Sequence, residues 1–271
     1  MANFDFNGKN IYYEEYGEGR PLVLLNGIMM STLSWVEFIE PFSKDNRLLL
    51  LDFLDQGKSD RMTEDYDQDI QSDLLKAFFD HLKLDKCSIM GISYGGEVAL
   101  SFAVKYPEYV DRLILFDTTA RTGPWLGNIG LGWNRATKDP ECYYYSTIPI
   151  IYSPEFYRER NDWMNARHEL LKPVFASEDF TSRMIRLTNS SEHFDVLDRI
   201  HEIQAPTLVV SADQDYLIPI PEQKLLVERI PNSTHVVIQH SGHASMYEQP
   251  LLFAALTLGF CNVSKVEYPI K

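Results

Sequence analysis

Basic residues are in short supply relative to acidic ones: 25 Lys and Arg stand against 39 Asp and Glu, a net charge of −14. That deficit argues against a nucleic-acid partner, which would want a basic face, and against an anionic membrane surface. Polyanionic substrates are disfavoured on the same ground. Cysteine is also scarce. Cys87, Cys142 and Cys261 are odd in number and far apart, which gives no metal-ligand spacing and suits a reducing compartment. Cys87, inside an apolar run, reads as a small core residue. No apolar run approaches transmembrane length, and Met1-Ala2-Asn3-Phe4-Asp5 lacks the basic and apolar regions of a signal peptide. A cytoplasmic location is therefore expected, and Asn189-Ser190-Ser191 and Asn232-Ser233-Thr234 become chance matches to the glycosylation triplet. Nothing in the sequence requires a protein partner or fixes an oligomeric state.

The rest is ordinary for a soluble globular protein, with 45% hydrophobic and 24% charged residues in a chain long enough to bury a full core. Phe4 to Tyr16 reads as a hairpin closed by Asn7-Gly8. Buried strands are expected at Pro21–Leu25, Arg47–Asp52, Cys87–Met90, Arg112–Asp117, Ala205–Ser211 and His235–Ile238. Helical spacing appears at Trp35–Phe42, Ile70–Leu82, Glu97–Tyr106, Ile220–Arg229 and Ser245–Phe260. Short apolar strands alternating with helices imply a mostly parallel sheet covered on both faces. The alternation stops from 121 to 196, where aromatic-rich helical pieces stand instead. We read residues 1–120 and 197–271 as one core and 121–196 as a helical lid inserted into it.

Gly91-Ile92-Ser93-Tyr94-Gly95-Gly96 lies between a buried strand and a helix. In that setting Gly-x-Ser-x-Gly is a nucleophile elbow, a turn so tight that glycines flank an exposed serine. The helix after it aims its free amides and positive dipole end at the same spot. Serine needs an adjacent base, held in turn by a third group. Of seven histidines, His243 stands out, because Ser241-Gly242-His243 follows the last strand and opens a loop on the elbow's side of the sheet; His240 is close by but lies nearer the strand end. The acid comes from Asp213 or Asp215 after the strand ending at Ser211. Asp215 is favoured because it lies farther past the strand.

These segments resemble the α/β-hydrolase family. The order Ser93, Asp215, His243 is that family's order. Leu25-Asn26-Gly27-Ile28 resembles its oxyanion loop, Asp52 to Ser59 its Asp-x-Arg-Gly-x-Gly-x-Ser segment, Asp213 to Pro219 its acid loop, and Gly242-His243 with Glu248 and Pro250 its histidine loop. The resemblance spans nearly everything but the insertion. It implies an α/β-hydrolase fold with a sheet of about eight strands, and it implies that the backbone N–H groups of Ile28 and Tyr94 form the oxyanion hole. Asn26 stands where the family usually has histidine, and Leu54-Asp55 replace its Arg-Gly.

Ser93, Asp215 and His243 together predict a cofactor-independent serine hydrolase acting on a small ester, thioester or lactone. The insertion's aromatics favour an apolar or aromatic acyl group. Asn26, Met29, Trp125 and Trp133 are expected at the substrate, whereas Arg167 and His168 are expected on the surface. The same residues would serve a carbon–carbon bond hydrolase, an acyltransferase or a cofactor-free perhydrolase. A non-catalytic ligand-binding or receptor protein on a hydrolase scaffold is the alternative of another class.

Overall fold

The computed structural model describes residues 2–263; Met1 and 264–271, the ends of the expected core span, lie outside the described residues. Eight strands form one sheet: β1 (Ala2–Phe6), β2 (Lys9–Tyr16), β3 (Arg20–Leu25), β4 (Asn46–Leu51), β5 (Cys87–Ile92), β6 (Val110–Phe116), β7 (Thr207–Ala212) and β8 (Ser233–Ile238). Their spatial order is β1-β2-β4-β3-β5-β6-β7-β8. Pairing is antiparallel from β1 through β2 to β4 and parallel across the rest. Asn7 and Gly8 both take positive φ, 54° and 79°, the left-handed pair that a two-residue hairpin needs.

The central strands are buried on both faces. One cluster packs Phe78, Phe79 and Phe102 against one side, and another packs Trp35, Phe42 and Phe253 against the other. Because β5 is buried throughout, its C-terminal end is a rigid platform for the turn that carries Ser93.

Two expected helices are broken, and proline explains both. Trp35–Phe42 is a 3₁₀ turn, Thr32–Phe38, continued by a short α-helix, Ile39–Ser43; Pro41 has no N–H to continue a regular ladder. Ser245–Phe260 splits into Ser245–Glu248 and Pro250–Asn262. Gln249 sits at φ −132°, ψ 57°, outside the helical region that a proline at the next position disfavours.

Between β6 and β7 run five α-helices, Pro124–Ala136, Pro140–Ile151, Pro154–Glu159, Asn161–Phe175 and Glu178–Ser190. Three start with proline at the first turn, and Asp139, Ser153 and Ser177 cap theirs through the side chain. The two ends of this insertion are tied together by the Arg121–Asp195 bridge, Thr122 N–H to Phe194 O (2.8 Å) and Val196 N–H to Ala120 O (2.9 Å). Its last helix is clamped to the core by Arg186, which donates to fully buried Asp55 at 2.6 and 3.1 Å. Asp55 thus turns a departure from the family pattern into an anchor for the insertion. Among the described residues no helix is long and apolar enough to cross a membrane.

Candidate active site

Ser93 links β5 to the helix Tyr94–Lys105, which starts directly after it rather than at Glu97. Its backbone sits at φ 53°, ψ −122°, a conformation that L-residues hold only under constraint. The constraint is visible. Ser93 N–H donates to Phe116 O at 3.0 Å, and Ser93 O accepts from Gly96 N–H and Thr118 Oγ1, both at 2.8 Å. A Cβ at Gly91 would collide with the Gly95 carbonyl, and one at Gly95 with the Leu25 carbonyl. The flanking glycines are therefore needed for close approach as well as for the turn.

His243 lies in the loop after β8, and its Nδ1 is 2.9 Å from Asp215 Oδ2. Asp215 is oriented by N–H groups of Leu217 (2.9 Å) and Ile218 (2.8 Å) on Oδ1, with the buried Gln223 amide at 3.4 Å from Oδ2. Burial alone would depress the His243 pKa, but the charge and hydrogen bond of Asp215, with Asp117 and Glu97 beyond, carry it above the ordinary histidine value. Asp213 accepts from Ser241 N–H at 3.1 Å, so it shapes the histidine loop. His240 pairs with Glu155 at 2.8 Å on the surface. Glu248 pins the same loop by accepting from Gly242 N–H (3.0 Å), Ser153 N–H (2.9 Å) and Ser153 Oγ (2.5 Å), which also joins it to the insertion.

The N–H groups of Ile28 and Tyr94 make no hydrogen bond among the described residues, and both residues border Ser93 in one cavity. Asn26, expected at the substrate, is fully buried away from it. Its amide donates to Leu51 O (2.8 Å) and Gln56 Oε1 (3.1 Å), and its oxygen accepts from Trp35 Nε1 (2.7 Å). Gln56 then donates to Gly27 O at 3.0 Å. Asn26 braces the Ile28 loop, with both amide N–H groups and its oxygen committed to protein partners and its side chain fully buried.

Two cavities meet at Ser93, sharing Ile28, Trp133 and Leu217 as walls. The larger holds about 840 Å³ of free space, partly open to solvent, and is bordered by Ser93, His243, Met29 and a mainly apolar wall. The smaller, about 650 Å³, is bordered by Tyr94, Glu97, Asn134, Asn189 and Glu192. Of the residues expected at the substrate, Met29 and Trp133 border the larger cavity. Trp125 does not. It borders neither cavity, the residue is 58% exposed, and its Nε1 donates to Tyr216 O at 3.0 Å. Arg167 departs in the opposite sense, because this supposed surface residue borders the larger cavity. His168 is held by Glu141 at 3.1 Å and borders neither.

Sequence reasoning also missed Glu97. It is buried one turn past Ser93, accepts from Gln68 Nε2 at 2.7 Å, and its pKa is pushed up to about 8 by burial, against the opposing effects of Gln68 and His243. The available signal was a lone acid between the glycines of the elbow and the apolar run Val98–Val104. Asp117, fully buried and bonded to Ser245 Oγ at 2.6 Å, has its pKa raised by burial and by the charge of Asp215.

The profile of the alpha/beta hydrolase fold matches residues 20–136. The 2-hydroxy-6-oxononadienedioate/2-hydroxy-6-oxononatrienedioate hydrolase 1 of Pseudomonas putida is 30% identical over 270 residues, covering 93% of this chain and 91% of the relative. The crystal structure of MGS-M2, an alpha/beta hydrolase enzyme from a Medee basin deep-sea metagenome library, is similar at 48% identity with a TM-score of 0.97, over 99% of this chain and 100% of that one. Est816, described as an N-acyl homoserine lactone degrading enzyme, is 26% identical with a TM-score of 0.83, over 95% and 99% of the two chains.

Proposed function

This chain belongs to the alpha/beta hydrolase family, and on that premise we propose that it hydrolyses a small carboxylic ester or lactone through an acyl-enzyme on Ser93. The observation that carries the reading is the shared cavity. Ser93 is held in a constrained turn, and His243, oriented by Asp215 at 2.9 Å, borders the same space. Ser93 Oγ attacks the substrate carbonyl while its proton passes to His243 Nε2. Asp215 keeps the opposite ring nitrogen protonated and stabilises the imidazolium. The oxyanion forms against the Ile28 and Tyr94 N–H groups, each contributing about 3 kcal/mol to barrier lowering. Collapse breaks the ester bond, and His243 returns the proton to the leaving alkoxide. A water, deprotonated by His243, then hydrolyses the acyl-enzyme and regenerates Ser93. The insertion acts as the lid over this reaction.

Assay of Ser93→Ala on p-nitrophenyl acyl esters tests the reading. A loss of about 10⁴-fold or more in kcat supports it, and unchanged turnover refutes it. The Pseudomonas putida relative favours a second reading, carbon–carbon bond hydrolysis by the same residues. A vinylogous 1,5-diketone substrate cleaved faster than any ester would favour that alternative. Labelling of Ser93 by a fluorophosphonate separates both from a non-catalytic binder, which would leave the probe unreacted.

A further inference from the structure

The larger cavity has one permanently charged side chain in its wall, Arg167, and no carboxylate. Arg167 comes from the insertion helix Asn161–Phe175. Among the described residues it has neither an ion pair nor a hydrogen bond, and its Nε is buried without a partner. Its guanidinium carbon lies 5.1 Å from the Tyr247 ring and 5.7 Å from the Trp163 ring. Ring faces hold a planar cation in place while leaving its edge N–H groups free. In a chain of net charge −14, this cation forms no ion pair among the described residues although acids outnumber bases. The smaller cavity is sorted the other way, carrying Glu97 and Glu192 and no basic side chain. The two spaces, one walled by Arg167 and the other by two carboxyl side chains, adjoin at Ser93.

We propose that Arg167 is a specificity residue that binds a carboxylate carried by the substrate, so that the preferred ester or lactone is itself an anion. The inference rests on the ester-hydrolase reading above and names its substrate class. The guanidinium fork presents paired N–H groups to a carboxylate inside an apolar wall, where a bidentate charge-assisted contact is strongest. A neutral acyl group fills the same cavity but leaves that buried Nε–H unpaired.

The test compares mono-p-nitrophenyl adipate, which carries a free carboxylate, with the methyl-capped diester of the same length. In the wild type the ratio of kcat/KM, half-ester over diester, exceeds one; in Arg167→Gln it falls about tenfold or more, through KM. Arg167→Lys, which keeps the charge but loses the fork, restores part of it. Equal losses on both substrates would mean that Arg167 only staples Trp163 and Tyr247, and would overturn the proposal. A second arm needs no turnover: adipate monomethyl ester is titrated calorimetrically into Ser93→Ala and into Ser93→Ala/Arg167→Gln. Binding weakened about tenfold by the second change supports the anion site even if neither ester is hydrolysed, an outcome that would sink only the hydrolase reading. Hydrolysis of both esters with no dependence on Arg167 leaves that reading standing and removes this one.

Discussion

Glu97 should make the protein less stable as pH rises, and replacing it with glutamine should remove most of that dependence. The side chain is buried beside Ser93, with Gln68 Nε2 at 2.7 Å, and its pKa moves from 4.5 to about 8. Below pH 4.5 the carboxyl is protonated in both folded and unfolded chains and costs nothing. Between 4.5 and about 8 the unfolded chain releases the proton and the folded chain keeps it. The folded state then binds more protons, so unfolding free energy falls as pH increases. Above 8 both states are ionised and the full cost of the buried charge is present. At 1.36 kcal/mol per pKa unit, the whole span amounts to about 5 kcal/mol, of which about 3 is lost by pH 7. Set against a typical total of about 5–15 kcal/mol, that is a large fraction.

Glu97→Gln keeps the shape and an oxygen to accept from Gln68, but cannot ionise. Urea denaturation of both proteins, run from pH 5 to pH 9 at constant ionic strength, isolates Glu97 together with its coupling to His243, because titrations of groups that do not feel Glu97 cancel in the difference. The two should be close at pH 5 and diverge until the variant is more stable by about 3–4 kcal/mol at pH 9. Parallel curves would refute the argument, since they would mean that the carboxyl ionises in the fold at its ordinary pKa.

Named contacts elsewhere in the site and the insertion carry their own consequences. The raised His243 pKa places the acid limb of kcat/KM above pH 6.5, because the imidazole base is lost as pH falls through its folded value; an acid limb below 6.5 would contradict it. Asp215→Asn removes the main support of the imidazolium, so the limb moves to lower pH while kcat on p-nitrophenyl butyrate drops on the order of 10⁴-fold. Arg186→Met strands the buried Asp55 carboxylate and should cost about 3–5 kcal/mol by urea midpoint, with much of it recovered by adding Asp55→Asn. Asn26→Ala leaves the Trp35 Nε1–H and the Leu51 carbonyl unpaired, about 1–3 kcal/mol for each buried group by urea denaturation, and lowers kcat by loosening the loop that carries Ile28.

What could be read in the sequence was whatever is encoded over a few neighbouring residues. The strand and helix rhythm, the Asn7-Gly8 turn and the Gly-x-Ser-x-Gly elbow each depend on local spacing, because side-chain period and turn sterics act over short stretches of chain. Asp215 and His243 could be read because parallel strands deliver their loops to one edge. The two expected helices that broke were also local, at Pro41 and Pro250, where helical periodicity was allowed to outweigh a missing N–H and the restriction on the residue before proline. Asn26, Trp125, Arg167 and Glu97 belong to another class. A solvent-facing and a cavity-facing position of an insertion helix share the same polar pattern, and only packing against Trp163 and Tyr247 turns Arg167 inward. Asn26 carries a polar side chain that could serve a ligand or a loop, and the choice was made by partners 9, 25 and 30 residues away. The residues proposed for the chemistry are therefore written in short motifs, whereas the walls of the cavities around them are written in contacts between distant segments. A sequence that names Ser93 directly says nothing of the charge beside it, and the Arg167 cavity wall is where substrate preference should be sought.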